Sequence, residues 1–463
     1  MIRRYYIKTM GCQMNVHDSQ VMAAMLEHDG WQAASGPADA DLIIINTCSI
    51  REKAEQKVHS LLGRLAILKQ AKRSMIMAAC GCVAQQKGRA LLDSAPHLDL
   101  VFGTQQIARL NTLLAEVGQG RRRCELAMAH PFPQVERTTP AGIKAFVSIM
   151  QGCDNFCTYC IVPYVRGREV SRPVADVLNE VSGLLSRGIN EITLLGQNVN
   201  SYGKRVLGNG SERPRFVDLL TDLARCEGRQ GERLKRIRFT TSHPRDLSPQ
   251  LAALFGSLEP LCEHIHLPVQ SGSSRLLQLM HRGYDRDDYR QRISWLRESC
   301  PDIAITTDII IGFPGETEDD FEQTLDLLQE TGFDGAFSFK YSDRPPAKAV
   351  SFAAKVAEEI KDQRLARLQD LQAAITFSKN RALMGTTQEV LVEGASKRGG
   401  TLTGRTRCNR IVHFAGPSDL VGQLLDVHIT EAHTHSLKGR LEDKPRSALR
   451  QGQARCKESL CTA

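Results

Sequence analysis

Ten short apolar runs, most of them followed by a helical pattern, restrict this chain to parallel α/β architectures. Four lie in residues 1–120: "RRYYIKTM", "DLIIINT", "SMIMAA" and "LDLVFG". The middle ones are apolar throughout, which fits central strands covered on both faces. Six more lie in residues 143–375: "AFVSIM", "EITLLG", "RIRFTT", "HIHLPV", "IAITTDIIIG" and "GAFSFKY". Six βα units predict an open, partial (β/α)6 barrel with its ligand site at the carboxyl ends of the strands. Between the two sets, residues 121–142 carry proline, charge and little periodicity, and read as a linker. The last domain, 376–441, turns β-rich from 386 after a long helical run and predicts a small antiparallel β-barrel. The last stretch, 442–463, is polar and basic, and a poorly ordered tail is expected. The expected fold class is therefore α/β: an N-terminal parallel-sheet domain, a partial (β/α)6 barrel and a small C-terminal β-barrel.

A chain of 463 residues, 41% hydrophobic and 24% charged, has the material for two or three soluble domains. The start, "MIRRYYIKTMGC", lacks the apolar run of a signal peptide, and no stretch has the length to cross a bilayer. A cytoplasmic protein without a membrane partner is expected. Fourteen cysteines do not suit a disulfide framework in that compartment. Metal ligation, catalysis and core packing compete for them. The formal net charge of +8 permits a nucleic-acid partner without arguing for one.

The cysteines form two constellations. Cys153, Cys157 and Cys160 follow the strand "AFVSIM", on the first βα loop of the barrel. Iron–sulfur cubes usually have four thiolate ligands, and the next cysteine along the chain is Cys226. Three thiolates leave one iron open to an exogenous ligand. Three packed thiols, or a zinc site short of one ligand, are the alternatives. In the second constellation, Cys12 follows the first strand, Cys48 the second, and Cys80 and Cys82 the third. Open α/β sheets bind ligands at that edge, so a second metal or cluster site is expected there. Cys82 is the better ligand, because Cys80 closes the apolar strand. Glycines 11 and 81, each directly before a candidate cysteine, allow close backbone approach.

The spacing Cys153-x-x-x-Cys157-x-x-Cys160 resembles the radical SAM superfamily. That resemblance implies that S-adenosylmethionine chelates the open iron and is split by one electron to a 5′-deoxyadenosyl radical. It places Tyr159 near the adenine, and Gln197 and Asn198, in "LLGQNVNSYG", near the methionine amine. The whole domain order resembles the methylthiotransferases, supported by "TTSHPRDL", "HLPVQSGS" and "TDIIIGFPGETEDDF". Within them, "GCQMN" with "NTCSIREKAEQK" is similar to the branch acting on N6-isopentenyladenosine in tRNA. The branches acting on threonylcarbamoyladenosine and on a ribosomal-protein aspartate carry other residues where Gln13 and Met14 stand. One departure is Pro346-Ala347, where relatives show Gly-Thr; that loop is expected to border the active site, outside both cysteine motifs.

What the resemblance implies is two [4Fe-4S] clusters and S-adenosylmethionine as cofactors, with Cys12, Cys48 and Cys82 holding the auxiliary cluster that supplies sulfur. The substrate implied is the adenosine at position 37 of the tRNA anticodon loop, methylthiolated at C2. Single-stranded loops suit such chemistry because their bases splay out at low cost. An electron donor is required, and a monomer is expected. No acid or base for the radical step is assigned. The small barrel resembles a TRAM domain, which in relatives binds RNA. Its Lys397, Arg398, Arg405, Arg407, Asn409 and Arg410 are expected to face phosphates, with Phe414 stacking bases. A solvated face is the alternative. His433 and His435 are read as surface or RNA-facing side chains rather than metal ligands.

Overall fold

A computed structural model describes residues 3–48, 52–118, 120–128, 132, 142–207, 213–396 and 399–442. Lys397, Arg398 and the tail from 443 lie outside these described residues.

The first sheet has six strands, all parallel. They are β1 (Arg4–Thr9), β2 (Gln32–Ala33), β3 (Leu42–Thr47), β4 (Ile76–Gly81), β5 (Leu100–Phe102) and β6 (Arg123–Glu125), in spatial order β2-β1-β3-β4-β5-β6. Every residue of β3 is buried, as its unbroken apolar run requires. Two apolar clusters lie on opposite faces. One is built on Met22, Leu42 and Ile44, the other on Ile43, Ile45 and Met77. Two of the six strands were not expected. β6 falls inside the presumed linker, because the open edge of β5 pairs with Arg123–Glu125. The chain leaves this sheet only after it.

The six barrel strands lie where the apolar runs predicted: β7 (Lys144–Ser148), β8 (Glu191–Leu195), β9 (Arg236–Phe239), β10 (His264–His266), β11 (Ala304–Ile311) and β12 (Gly335–Lys340). All their ladders are parallel. They form two three-stranded sheets, joined by a bridge between Ile237 and Leu261, and they do not close. Outward residues such as Val147, Ile192, Ile237, Ile265 and Ile309 join the surrounding helices in the largest core.

The last five strands close a barrel: β13 (Thr387–Ala395), β14 (Leu402–Thr406), β15 (Ile411–Phe414), β16 (Leu424–Ala432) and β17 (Leu437–Leu441). Its ladders are antiparallel except β15 with β17, which is parallel. Phe414 is 2% exposed and sits in this barrel's core beside Val390 and Val412. It cannot stack bases from there, which corrects the expectation above. The alternation Val412-His413-Phe414 turns the two apolar residues inward.

The arginines of this barrel are corrected too. Arg407 donates to both Glu263 oxygens at 3.0 and 2.7 Å and to the Glu259 and Leu261 carbonyls. Arg410 pairs with Asp334 at 2.6 Å. Arg405 donates to the Asn409 carbonyl and lies 3.4 Å from Glu393. From the partial barrel, fully buried Arg236 donates to the Arg405 and Glu389 carbonyls, and Arg238 to those of Thr406 and Arg407. Arg407, Arg410, Arg236 and Arg238 thus join the two barrels, while Arg405's own side chain is held within the small one. Buried carboxylates and carbonyls at the joint demand such partners. His433 and His435 are exposed, as expected.

Candidate metal centres

The barrel thiols stand on the loop leaving β7. A short antiparallel ladder, Met150–Gln151 with Val170–Ser171, closes its base. Gly152 has φ +80°, and a Cβ there would stand 2.1 Å from the Arg168 carbonyl oxygen. Only glycine lets the two legs run this close. The Cys153 N–H donates to the Gly167 carbonyl at 3.2 Å, and the Gly152 N–H to Gln197 Oε1 at 2.5 Å. Gln197 thus braces the cysteine loop directly. Burial pushes the Cys153 thiol up to about 11 and the Cys160 thiol up to about 12. At both, burial outweighs the opposing pull of the Arg282 guanidinium. A buried guanidinium is at hand: Arg282 reaches Cys157 Sγ at 3.4 Å and Tyr159 Oη at 3.2 Å, and donates to the Pro268 carbonyl.

Beside this loop, Asn198 and Glu169 are 1% and 3% exposed. Asn198 Nδ2 donates to Asp246 at 2.7 Å, and Glu169 Oε2 accepts from Ser201 at 2.7 Å. Asn198 Oδ1 and Glu169 Oε1 have no partner. Burial pushes the Glu169 carboxyl up to about 7, against the pull of Ser201 and Lys204. Glu169 escaped the sequence reading, although it follows the cysteine motif closely in "RGREVSRP".

The second set comes from three adjacent strands, β1, β3 and β4. Cys12 caps helix α1 (Gln13–His28), Cys48 follows β3, and Cys82 opens the helix α2 (Cys82–Lys87) after β4. Thr47 pairs with Gly81, so Cys48 and Cys82 leave the sheet side by side. A Cβ on Gly11 (φ +131°) would lie 2.3 Å from the Cys48 Cβ, so the chain here tolerates no side chain. A buried knot pins α1 to β3: Asn15 Nδ2 donates to Asn46 Oδ1 at 2.8 Å, and Asn46 Nδ2 to the Asn15 carbonyl at 2.9 Å. Hydrogen bonding with Cys48 brings the Cys12 thiol down to about 6; burial opposes this and Arg166 assists. Cys80 points elsewhere, into the core, with its Sγ 3.8 Å from Met22 Sδ.

The donor sets fit thiolate-bound clusters. All six are free cysteines, and each triplet offers three thiols, the donor type and number that would hold three irons of a cube and leave the fourth open.

One segment touches both sites. Helix α3 (Val162–Arg166) follows Cys160 directly. Ile161 and Val165 pack on Cys82. Thr104 Oγ1 donates to the Val165 carbonyl at 2.7 Å, and Gln105 Nε2 to that of Arg166 at 2.9 Å. Arg166, 3% exposed, pairs with Asp18 of α1 at 2.8 Å. Nearby, Gln86 donates to the Pro345 carbonyl at 2.9 Å, and the Ala349 N–H to the Thr158 carbonyl at 2.7 Å. The Pro346-Ala347 loop therefore does contact the barrel cysteine loop, and α2 as well.

Away from the helices, the barrel strands carry His266, whose Nε2 lies 3.5 Å from Asp308, and Phe337, edge-on to His266 and 54% exposed. A groove of about 840 Å³ runs on from there, lined by Phe337, Phe339, Arg405, Asn409, Arg410 and His435.

Comparisons with known proteins bear on all three parts of the chain. Residues 4–103 match the uncharacterized protein family UPF0004, residues 147–328 the radical SAM superfamily, and residues 381–441 the TRAM domain. A tRNA-2-methylthio-N(6)-dimethylallyladenosine synthase of Syntrophobacter fumaroxidans is 50% identical over 453 residues, covering 96% of each chain. One of Geotalea uraniireducens is 48% identical over 442 residues, covering 94% of this chain and 98% of that one. Among solved structures, the radical S-adenosylmethionine methyltransferase TsrM from Kitasatospora setae aligns with a TM-score of 0.56 at 14% identity. It covers 84% of this chain and 78% of that one, a likeness of fold.

Proposed function

The chain belongs to the family of the tRNA-2-methylthio-N6-dimethylallyladenosine synthases, and from that premise we propose how its residues divide the work. It is a radical SAM transferase that converts N6-dimethylallyladenosine in tRNA to the 2-methylthio derivative, using S-adenosylmethionine and iron–sulfur clusters. The observation that carries the assignment of sites is the placement of two cysteine triplets at carboxyl strand ends, joined by one short helix.

In this reading Cys153, Cys157 and Cys160 hold one [4Fe-4S] cluster, and Cys12, Cys48 and Cys82 the auxiliary one. When bound, the first supplies the electron that cleaves S-adenosylmethionine, and the second supplies sulfur. The chain's own residues do the rest. Arg282 neutralises charge on Cys157 and orients Tyr159 at the adenine. Gln197 fixes the loop through the Gly152 N–H, and Asn198 Oδ1 remains available to the cofactor's methionine end. Phe337 offers an aromatic face to the target base, and His266 with Asp308 offers polar groups beside it. The anticodon loop, with position 37 as the target, enters by the groove between β12 and the small barrel. With the arginines fixed at the joint, that barrel sets the depth to which RNA reaches.

We assign residues 1–120, with β6 added, to the auxiliary site, 143–375 to the radical site and 376–441 to RNA. Among the described residues no helix is long and apolar enough to cross a membrane. The cytoplasm and a monomeric state suit a tRNA enzyme with both sites in one chain; an external electron donor completes the system.

Reconstituted protein incubated with dithionite, S-adenosylmethionine and an isopentenylated anticodon stem-loop should yield a methylthio product detectable by mass. A stem-loop bearing threonylcarbamoyladenosine should remain unmodified. The reverse preference would overturn the assignment.

A further inference from the structure

The two cysteine triplets come from different halves of the chain, yet Arg166 serves the site to which it does not belong in sequence. It follows the barrel motif by six residues, but its guanidinium lies in the N-terminal domain. Its Nη2 donates to Asp18 Oδ2 at 2.8 Å, with both side chains at least nine-tenths buried. The helix that carries this guanidinium packs Ile161 and Val165 on Cys82, and the guanidinium lies within electrostatic reach of Cys82 and Cys12. Its neighbour Gly167 accepts the N–H of Cys153. A side chain at 167 would meet Gln105 Nε2 at 2.8 Å, so this backbone is held against the N-terminal domain. A single dipeptide thus contacts the barrel's cysteine loop and the helix that Cys12 caps.

A buried guanidinium is expensive to desolvate, and one carboxylate at a single terminal nitrogen leaves the rest of its donors to be satisfied. Cys82 packs on the same short helix, and Cys12 caps the helix that carries Asp18. A cube held by three thiolates carries net negative charge, which grows on reduction. Cluster potentials depend on net charge and on hydrogen bonds to the sulfurs. We propose that Arg166 is a positioning residue for the auxiliary cluster: it hydrogen-bonds the Cys82 thiolate and raises that cluster's reduction potential, with Asp18 as the opposing charge. The residue that sets the auxiliary potential is thus carried by the barrel's own cysteine segment. This rests on the two-cluster reading above.

The test is a redox titration of the full-length reconstituted protein, followed by electron paramagnetic resonance. The barrel cluster is recognised by its signal change on adding S-adenosylmethionine. Arg166→Gln should shift the auxiliary midpoint to more negative potential. Asp18→Asn, which removes a negative charge and keeps a hydrogen-bond acceptor, should shift it to more positive potential. Arg166→Lys should fall between wild type and Arg166→Gln, and the barrel midpoint should stay at its wild-type value in all three. A merely structural role would lower thermal stability in the variants without moving the auxiliary midpoint in opposite directions. Unchanged auxiliary midpoints, or shifts of the same sign in Arg166→Gln and Asp18→Asn, would overturn the inference. Wild type holding about four irons per chain in place of about eight would instead overturn the two-cluster reading on which it rests.

Discussion

At the barrel site, three thiols arrive on one loop between residues 153 and 160, and the loop's own ladder and Gly152 shape it. At the N-terminal site, three thiols arrive from β1, β3 and β4, and only the sheet register brings them together. A buried arginine from elsewhere stands by each: Arg282 at Cys157 Sγ, and Arg166 paired with Asp18 on the helix that Cys12 caps. The buried carboxyls diverge. Asp18 has a guanidinium at 2.8 Å, whereas Glu169 has a hydroxyl and one open oxygen. A local loop can form its site almost alone. An assembled site inherits every tolerance of the sheet beneath it.

The largest effect should come from removing ligands one site at a time. Cys157→Ala should abolish both 5′-deoxyadenosine and the methylthio product. Cys48→Ala should abolish only the product, leaving cofactor cleavage near the wild-type rate and iron at about half. Loss of cleavage in Cys48→Ala would erase the division of labour between the sites.

Glycine substitutions probe the two modes of assembly next. In Gly152→Ala the new Cβ meets backbone at 2.1 Å within the same loop, and in Gly11→Ala it meets Cys48 at 2.3 Å across strands. Each variant should lose the iron of its own site and keep the other's, about half the total. Overpacking of this kind costs about 1–3 kcal/mol, so both should remain folded. Iron counts and the S-adenosylmethionine-sensitive resonance signal separate the two; loss of both clusters from either variant would show that the sites do not form independently.

What could be read in advance follows the same contrast. That Cys153, Cys157 and Cys160 share one loop is legible because their spacing lies within it. That Cys12, Cys48 and Cys82 leave one edge is legible for a different reason: parallel strands put all their carboxyl ends on one edge, whatever the loops do. The placement of Arg166 and Arg282 is not legible, since it depends on contacts across 148 and 125 residues. Charge in the small barrel misled for the same cause. Arg407 and Arg410 look like an RNA-binding run until Glu263 and Asp334 are seen to face them. Phe414 was recoverable, because polar His413 between Val412 and Phe414 marks the inward parity.

The smallest effect concerns the two buried carboxyls, and its sign differs between the sites. Burial pushes the Asp18 carboxyl up, but Arg166 and His17 more than offset that and hold it below the ordinary range. Its contribution to stability is present above the unfolded value and lost as pH falls through the folded one. Glu169 is the reverse, raised from 4.5 to about 7. The folded state binds the extra proton in that window, so this group's contribution to stability falls as pH rises from about 4.5 to about 7, by at most roughly 3 kcal/mol, and Glu316, also raised to about 7 by burial, adds a decline of the same sign. Chemical denaturation of the metal-free full chain across this range should show that decline in wild type and a flatter profile in Glu169→Gln. Asp18→Asn should keep the decline and lose part of the acid limb below it. An undiminished decline in Glu169→Gln would place the titrating group elsewhere, and the two sites would no longer differ in the burial of an unpaired carboxyl.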